Sequence, residues 1–140
     1  MDKAQLYDFI KQHKLAVVST ASADNNPESA LVGIAVSAEL EIVFDTVKTS
    51  RKYKNLLHNL NVAVVIGWDK EITVQYEGVA TELNGPDAGH YKEIYFEAYP
   101  DGRERALSWP HIVHFKITPT WIRYSNFNDP VVIEEMGFSV

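Results

Sequence analysis

Residues 44–68 read FDTVKTSRKYKNLLHNLNVAVVIGW, which is a strand end, a hydroxyl-rich loop, a basic helix start and a second apolar strand in one run. Thr46, Thr49 and Ser50 supply the hydroxyls, and Lys48, Arg51, Lys52 and Lys54 are four of the chain's thirteen Lys and Arg residues. Ser50 is placed to cap the helix that follows, its hydroxyl accepting from a free first-turn amide. Cations just after an N-cap oppose the helix dipole, which favours anions there. An external anion at that helix end removes the conflict, because hydroxyls, free amides and two cations would converge on one phosphate. A solvated basic helix start fits the same spacing, and the local motif leaves both readings open.

The surrounding chain limits what such a site could serve. A length of 140 residues suits one domain, residues 1–140, with a proper core. Hydrophobic content of 46% and charged content of 23% are those of an ordinary globular protein. The net charge of -6 argues against a nucleic-acid partner, which needs a broad basic face, whereas one basic cluster suffices for a small ligand. Without cysteine there is no disulfide, thiolate nucleophile or Cys-based metal site. No apolar run reaches membrane-span length, and the opening MDKAQLYDFIKQHK is charged, so the expectation is a cytoplasmic protein with no membrane partner.

Outward from the central run, hydrophobic period assigns the elements. Leu6, Phe9, Ile10 and His13 recur at helical spacing within residues 2–13. Residues 15–22 form a β-type run, a turn follows at Ala23–Pro27, and residues 29–37 read as one strand. In that strand Gly33 would allow a close approach to the backbone. Residues 40–45 alternate as a further strand. A helix is expected over residues 51–60, packing Tyr53, Leu56, Leu57 and Leu60 on a sheet. Residues 62–68 are almost wholly apolar, which predicts cover on both faces, and residues 72–83 form a long strand with a bulge or bend at Gly78. Pro86 opens a helix whose face is Ala88, Tyr91, Ile94, Tyr95 and Ala98. Tyr99–Arg103 is a break, residues 104–110 carry no clear period, and residues 111–126 are mostly strand, interrupted near Pro119. The tail's Val131, Val132, Ile133, Met136 and Phe138 predict docking. Strands joined by short turns, with a few inserted helices, give a mainly β, antiparallel barrel, since closure removes exposed edges.

TVKTSRK (46–52), Asn55-Leu56, Asn59, the strand 62–68, VQYEG (74–78) and TPTWIRY (118–124) occur here in an order that resembles the pyridoxamine 5′-phosphate oxidase-like family of FMN-binding split barrels, in particular its small general-stress-type members. The resemblance implies an FMN-binding split β-barrel, antiparallel and Greek-key-like, of about six or seven strands with flanking helices. It implies a homodimer with FMN at the interface, a small-molecule substrate and NAD(P)H as a donor. Carried over residue by residue, Arg51 and Lys52 would pair with the FMN phosphate, with Asp45, Thr46 and Ser50 beside them. Ser29, Ala30, Leu31, Val32 and Gly33 would lie along the isoalloxazine ring. Thr73 stands nearest the family's ring-contacting Gln, with Gln75 two residues on, and Trp121 and Arg123 stand near its late Trp/Arg pattern. Where the family's true oxidases hold the substrate phosphate, this chain has Ala35 for a Lys, Tyr99 for an Arg and Arg103 for a Ser, while Tyr95 and Pro100 match. Loss of the bidentate Arg removes the strongest neutral-pH partner of a phosphate, so the substrate is expected to be other than pyridoxamine phosphate.

The remaining chemistry-bearing residues form no constellation of their own. His13, His58, His90, His111 and His114 lack metal-ligand spacing. Ser19, Ser29 and Ser108 have no activating motif, and Asp45 and Glu77 are at no fixed distance. In a flavin enzyme the cofactor carries the redox chemistry, so an oxidoreductase needs no protein acid or nucleophile. A flavin-binding stress or sensor protein with little turnover, and a relative using deazaflavin or haem, are the alternatives, the last needing an axial ligand.

Overall fold

A computed structural model describes residues 1–139; Val140 lies outside the described residues. The chain opens with α1 (Lys3–Lys11), whose Asp2 and Gln5 satisfy each other's backbone amides in a capping box and whose Leu6 and Ile10 are buried. The strands β1 (Leu15–Ala21), β2 (Pro27–Gly33), β3 (Ala35–Val36), β4 (Ile42–Val47), β5 (Asn61–Ile66), β6 (Ile72–Glu82), β7 (Ile112–Asn126) and β8 (Val132–Gly137) form one antiparallel sheet. Its order is β2-β1-β5-β6-β7-β4-β3, with β8 added on β7. The sheet curls around a core that includes Phe44, Ile42, Ile66, Tyr76, Ile117 and Ile122, and this is the architecture of a split barrel. Three helices follow the first: α2 (Arg51–Leu56), α3 (Ala88–Ala98) and α4 (Pro100–Ser108).

Two features lock the register. The β6/β7 pairing slips between Glu77 and Gly78, the bulge expected at that glycine. A Cβ at Gly78 would stand 2.5 Å from the Thr118 carbonyl oxygen, so only glycine lets the bulged strands close up. Tyr76 places its hydroxyl 2.8 Å from the Leu40 carbonyl and 3.0 Å from that of Ile117, which satisfies the one polar atom of a ring at the centre of the barrel.

Several sequence expectations need correction. The described residues form eight strands, because the tail adds β8 and residues 29–37 do not form one strand: the chain leaves β1 at Gly33, Ile34 N–H bonds the Lys14 carbonyl, and β3 pairs with β4. The helix at 51 ends at Leu56, where the chain tightens into a turn as Leu57 and His58 amides bond back to Tyr53, Lys54 and Asn55. Leu56 is buried and Tyr53 half-buried as expected, but Leu57 and Leu60 are 66% and 46% exposed. Residues 61–66 are covered on one face only; Val62, Val64 and Ile66 point inward while Ala63 and Val65 are exposed. Residues 100–108 are helical, with Pro100 in the first turn and only Gly102 buried. The tail docks as β8, with Met136 and Phe138 against the core and Val131, Val132 and Ile133 exposed.

Candidate functional site

β4 delivers Thr46 to the loop before α2, and Ser50 caps that helix by accepting from the Tyr53 amide at 3.2 Å. Thr46 Oγ1 and Ser50 Oγ lie 2.9 Å apart, and Lys52 Nζ donates to Thr46 Oγ1 at 3.3 Å. Lys52 is half-buried, and burial pushes its ammonium below the usual lysine range, only partly offset by the charge of Asp45. Among the described residues it has no carboxylate within 4.0 Å. Because α2 has only six residues, its dipole is small and the side chains carry the electrostatics.

Across from this cluster runs the edge strand β2. Ser29 and Ala30 border a cavity of about 110 Å³ together with Arg51, Lys52, Thr20 and Glu28. Glu28 and Thr20 were not legible as site residues. Glu28 Oε2 lies 3.4 Å from Arg51 Nη1, and its Oε1 accepts from the buried Asn55 side chain at 2.9 Å. Asn55 also donates to Thr20 Oγ1 at 2.9 Å, so one amide ties α2 to both β1 and β2. The signal that could have found this network is an Asn next to Leu56 on the inward side of a short helix, where a buried amide demands partners.

The remaining expected residues lie elsewhere. Leu31 stands on the outer face of the sheet in a cross-strand row with Val17, Val65, Gln75 and Arg123. Trp121 lies in the neighbouring row opposite Glu77, with the Arg123 guanidinium 5.3 Å from its ring centroid. Arg123 also donates to Glu135 Oε1 from Nε at 3.0 Å and Nη2 at 2.7 Å. Thr73 is opposite Ser125, on a different strand from Thr46, and Val32 points into the core. The close approach that Gly33 permits is made by Tyr99, since a Cβ there would stand 2.8 Å from the Tyr99 ring.

Asp45 faces α3 and α4 rather than the hydroxyl loop. Its Oδ2 is 3.6 Å from Arg105 Nη2. Burial, with the charge of Asp45 next, pushes the Tyr95 phenol upward. His114, opposite Asp45 on β7, is buried between Tyr95 and Phe96, and burial lowers its imidazole below the ordinary range. At the positions where the family's oxidases hold a substrate phosphate, Ala35 is buried, Tyr99 stacks on Tyr95 at 5.1 Å and Arg103 pairs with Glu93. Among the described residues no three His, Asp or Glu side chains are grouped to hold a metal, and no helix is long and apolar enough to cross a membrane.

Comparison with known proteins places this geometry. The profile of the pyridoxamine 5′-phosphate oxidase family matches residues 2–126. No curated protein sequence matches the chain. Among solved structures, a haem-binding protein from Mycobacterium smegmatis superposes with a TM-score of 0.82 at 12% identity, over 98% of this chain and 58% of that one. The chain therefore spans little more than half of that relative. General Stress Protein 26 from Bacillus anthracis str. Sterne gives 0.73 at 20% identity, over 97% of this chain and 98% of that one. The haem storage protein HutZ of Vibrio cholerae gives 0.71 at 13% identity, over 83% and 88%. At these identities the superpositions speak for the fold.

Proposed function

Because the chain belongs to the pyridoxamine 5′-phosphate oxidase-like family, we propose that it is an FMN-binding protein acting as a flavin-dependent oxidoreductase on a small molecule other than pyridoxamine phosphate. The observation that carries this reading is Lys52: a half-buried ammonium with no carboxylate within 4.0 Å among the described residues, donating to the Thr46 hydroxyl, which in turn bonds that of Ser50. A desolvated cation without a counter-charge is unfavourable by itself and favours an incoming anion. The residues present fit a phosphate. Lys52 and Arg51 would supply charge, Thr46 and Ser50 hydroxyl donors, and Arg51 is free to swing from Glu28 because its side chain is 74% exposed. The cavity of about 110 Å³ suits a phosphate and is too small for the ring, which would extend along the free edge of β2. When bound, FMN supplies the two-electron redox chemistry, and the protein orients and shields it.

A homodimer belongs to the same reading. Leu15, Val17, Leu31 and Val65 make an apolar patch on the outer face of β1, β2 and β5, where Leu31 is 61% and Val65 40% exposed. An isologous contact through that face would cover the exposed side of β5 and bring a partner's residues to the edge of β2.

The test is the absorbance spectrum of the purified protein, followed by an FMN titration and anaerobic mixing with NADH or NADPH. A flavin spectrum that bleaches on mixing supports the oxidoreductase. A flavin spectrum that does not bleach with either nucleotide favours a flavin-binding sensor. Haem is the second reading, since two structural neighbours are a haem-binding and a haem storage protein. It needs an imidazole within a haem-sized site: His114 is enclosed, and the exposed His58, His90 and His111 line neither the cavity at Lys52 nor the larger one between α1 and α3. A Soret band would replace the flavin reading.

A further inference from the structure

A cavity of about 510 Å³ lies between α1, the turn into β1, β3 and α3, and the flavin reading makes no use of it. This volume falls within the roughly 300–1,000 Å³ of small-molecule sites. The floor is apolar, built from the buried Ile10, Ile34, Ala35 and Val36, and Ile94 and Ala98 close one side. The rim carries Lys11 and Lys14, with Glu97 on α3.

Neither lysine is neutralised by a neighbour: among the described residues no carboxylate comes within 4.0 Å of either ammonium. They are held by groups without full charge. Lys14 Nζ donates to the Ala98 carbonyl at 3.3 Å and stands 5.6 Å from the Tyr99 ring centroid, and Lys11 Nζ stands 5.4 Å from that of Tyr7. The Tyr99 hydroxyl donates to the Lys14 carbonyl, which pins the turn. Aromatic faces and a carbonyl steady an ammonium without cancelling its charge, so the field of both lysines is available at the cavity mouth.

We propose that this cavity binds a small monoanion with an apolar body, an aromatic or branched carboxylate, its body on Ile10, Ile34 and Val36 and its carboxylate against Lys11 and Lys14. Two cations set against Glu97 suit one negative charge better than the two of a phosphate monoester. The binding stands without the flavin. Its further reading as the substrate pocket rests on the flavin proposal, because Ile34–Ser37 continues directly from the strand Ser29–Gly33 along which the ring would lie.

The probe is 2-naphthoate, titrated into ¹⁵N-labelled protein and compared with the neutral 2-naphthylmethanol. The expected result is saturable shifts of the Lys14, Ile34, Val36 and Ala98 amides, with the alcohol binding about fivefold or more weakly. Lys11→Gln and Lys14→Gln should each weaken naphthoate about threefold, and the pair about tenfold, with the alcohol unaffected. Ala98→Phe should block both probes by filling the cavity. Shifts confined to the outer sheet face, equal affinity for the two probes, or lysine variants without effect would overturn the proposal. Since the lysines are exposed, their variants keep the fold and decide the matter even where Ala98→Phe does not fold. Titrating the wild-type protein with FMN and with naphthoate separates the two claims. Naphthoate binding without FMN binding sinks the flavin reading alone, and FMN binding without naphthoate binding sinks this one alone.

Discussion

Lys52→Met tests the anion site most directly, because methionine keeps the apolar stem and removes only the charge. The ammonium now sits half-buried, held by one 3.3 Å hydrogen bond to Thr46 and disfavoured by burial. A charge-assisted hydrogen bond to phosphate contributes about 1.5–3 kcal/mol. Losing it should weaken FMN binding by roughly tenfold to a hundredfold, at about 1.4 kcal/mol per decade. The effect on the protein without FMN runs the other way. Lys52 has a folded pKa below its unfolded 10.5, so the unfolded chain binds the extra proton between those values and burial of the ammonium costs stability below them. At neutral pH the variant should therefore melt at the same temperature or slightly higher. Wild-type affinity should rise from pH 5 to 7 as the phosphate takes its second charge, at a pKa of about 6, and fall again once the pH passes the lowered Lys52 value. Fluorescence titration of FMN and melting of the FMN-free protein, both on the one variant, are the assay. A drop in melting temperature with unchanged FMN affinity would refute the argument and make Lys52 a structural residue. Arg51→Ala should cost less affinity than Lys52→Met, because Arg51 must first leave Glu28 at 3.4 Å.

Leu31→Lys should convert a dimer to a monomer in light scattering while leaving the far-ultraviolet spectrum unchanged, since Leu31 is 61% exposed on the single chain; an unchanged mass would move the interface elsewhere. Gly78→Ala should destabilise by about 1–3 kcal/mol, because its Cβ would stand 2.5 Å from a backbone carbonyl that cannot retreat without opening the β6/β7 ladder; denaturant melts decide it. His114→Phe should flatten the acid limb of stability. Burial holds the His114 pKa below its unfolded 6.5, so its contribution is complete above that value and is lost as pH falls through the folded pKa; a variant whose melting temperature drops as steeply as the wild type from pH 7.5 to 5 would refute this.

Strand positions were legible where one face is buried, because alternation is then written into the residues. β1 alternates buried and partly buried residues from Ala16 to Ala21, and Val74 to Ala80 on β6 alternates in the same way. Legibility failed where the environment changes along one element. From Ile34 to Ser37 all residues are buried, so the run looked like one strand although its hydrogen bonds change partner after Gly33. Leu57 and Leu60 kept helical spacing beyond the end of α2, because spacing records only what would align if the helix continued. α4 gave no period since Gly102 alone is buried in it. The run 62–68 reads as almost wholly apolar, yet Ala63 and Val65 face outward, and a chain read alone cannot tell a covering layer of its own from a second molecule.

The site was legible in its local part and not in its assembled part, and the division follows from how each is held. Thr46, Ser50 and Lys52 come together within one loop and helix start, so their spacing in sequence fixes their spacing in space. Glu28 comes from β2, and its register against β1 places it beside Thr20 and under Asn55. That juxtaposition has a chemical consequence. Glu28 lines the same cavity as Arg51 and Lys52, so a phosphate entering there meets a carboxylate as well as two cations. Glu28→Gln keeps an oxygen for the Asn55 amide and removes the charge. It should tighten FMN binding about threefold to tenfold, if the carboxylate opposes the phosphate across a partly screened gap. Weaker binding would mean that Glu28 orients Arg51 for the phosphate. A titration at two salt concentrations separates these cases, because a repulsion fades with added salt, while a lost orienting contact does not.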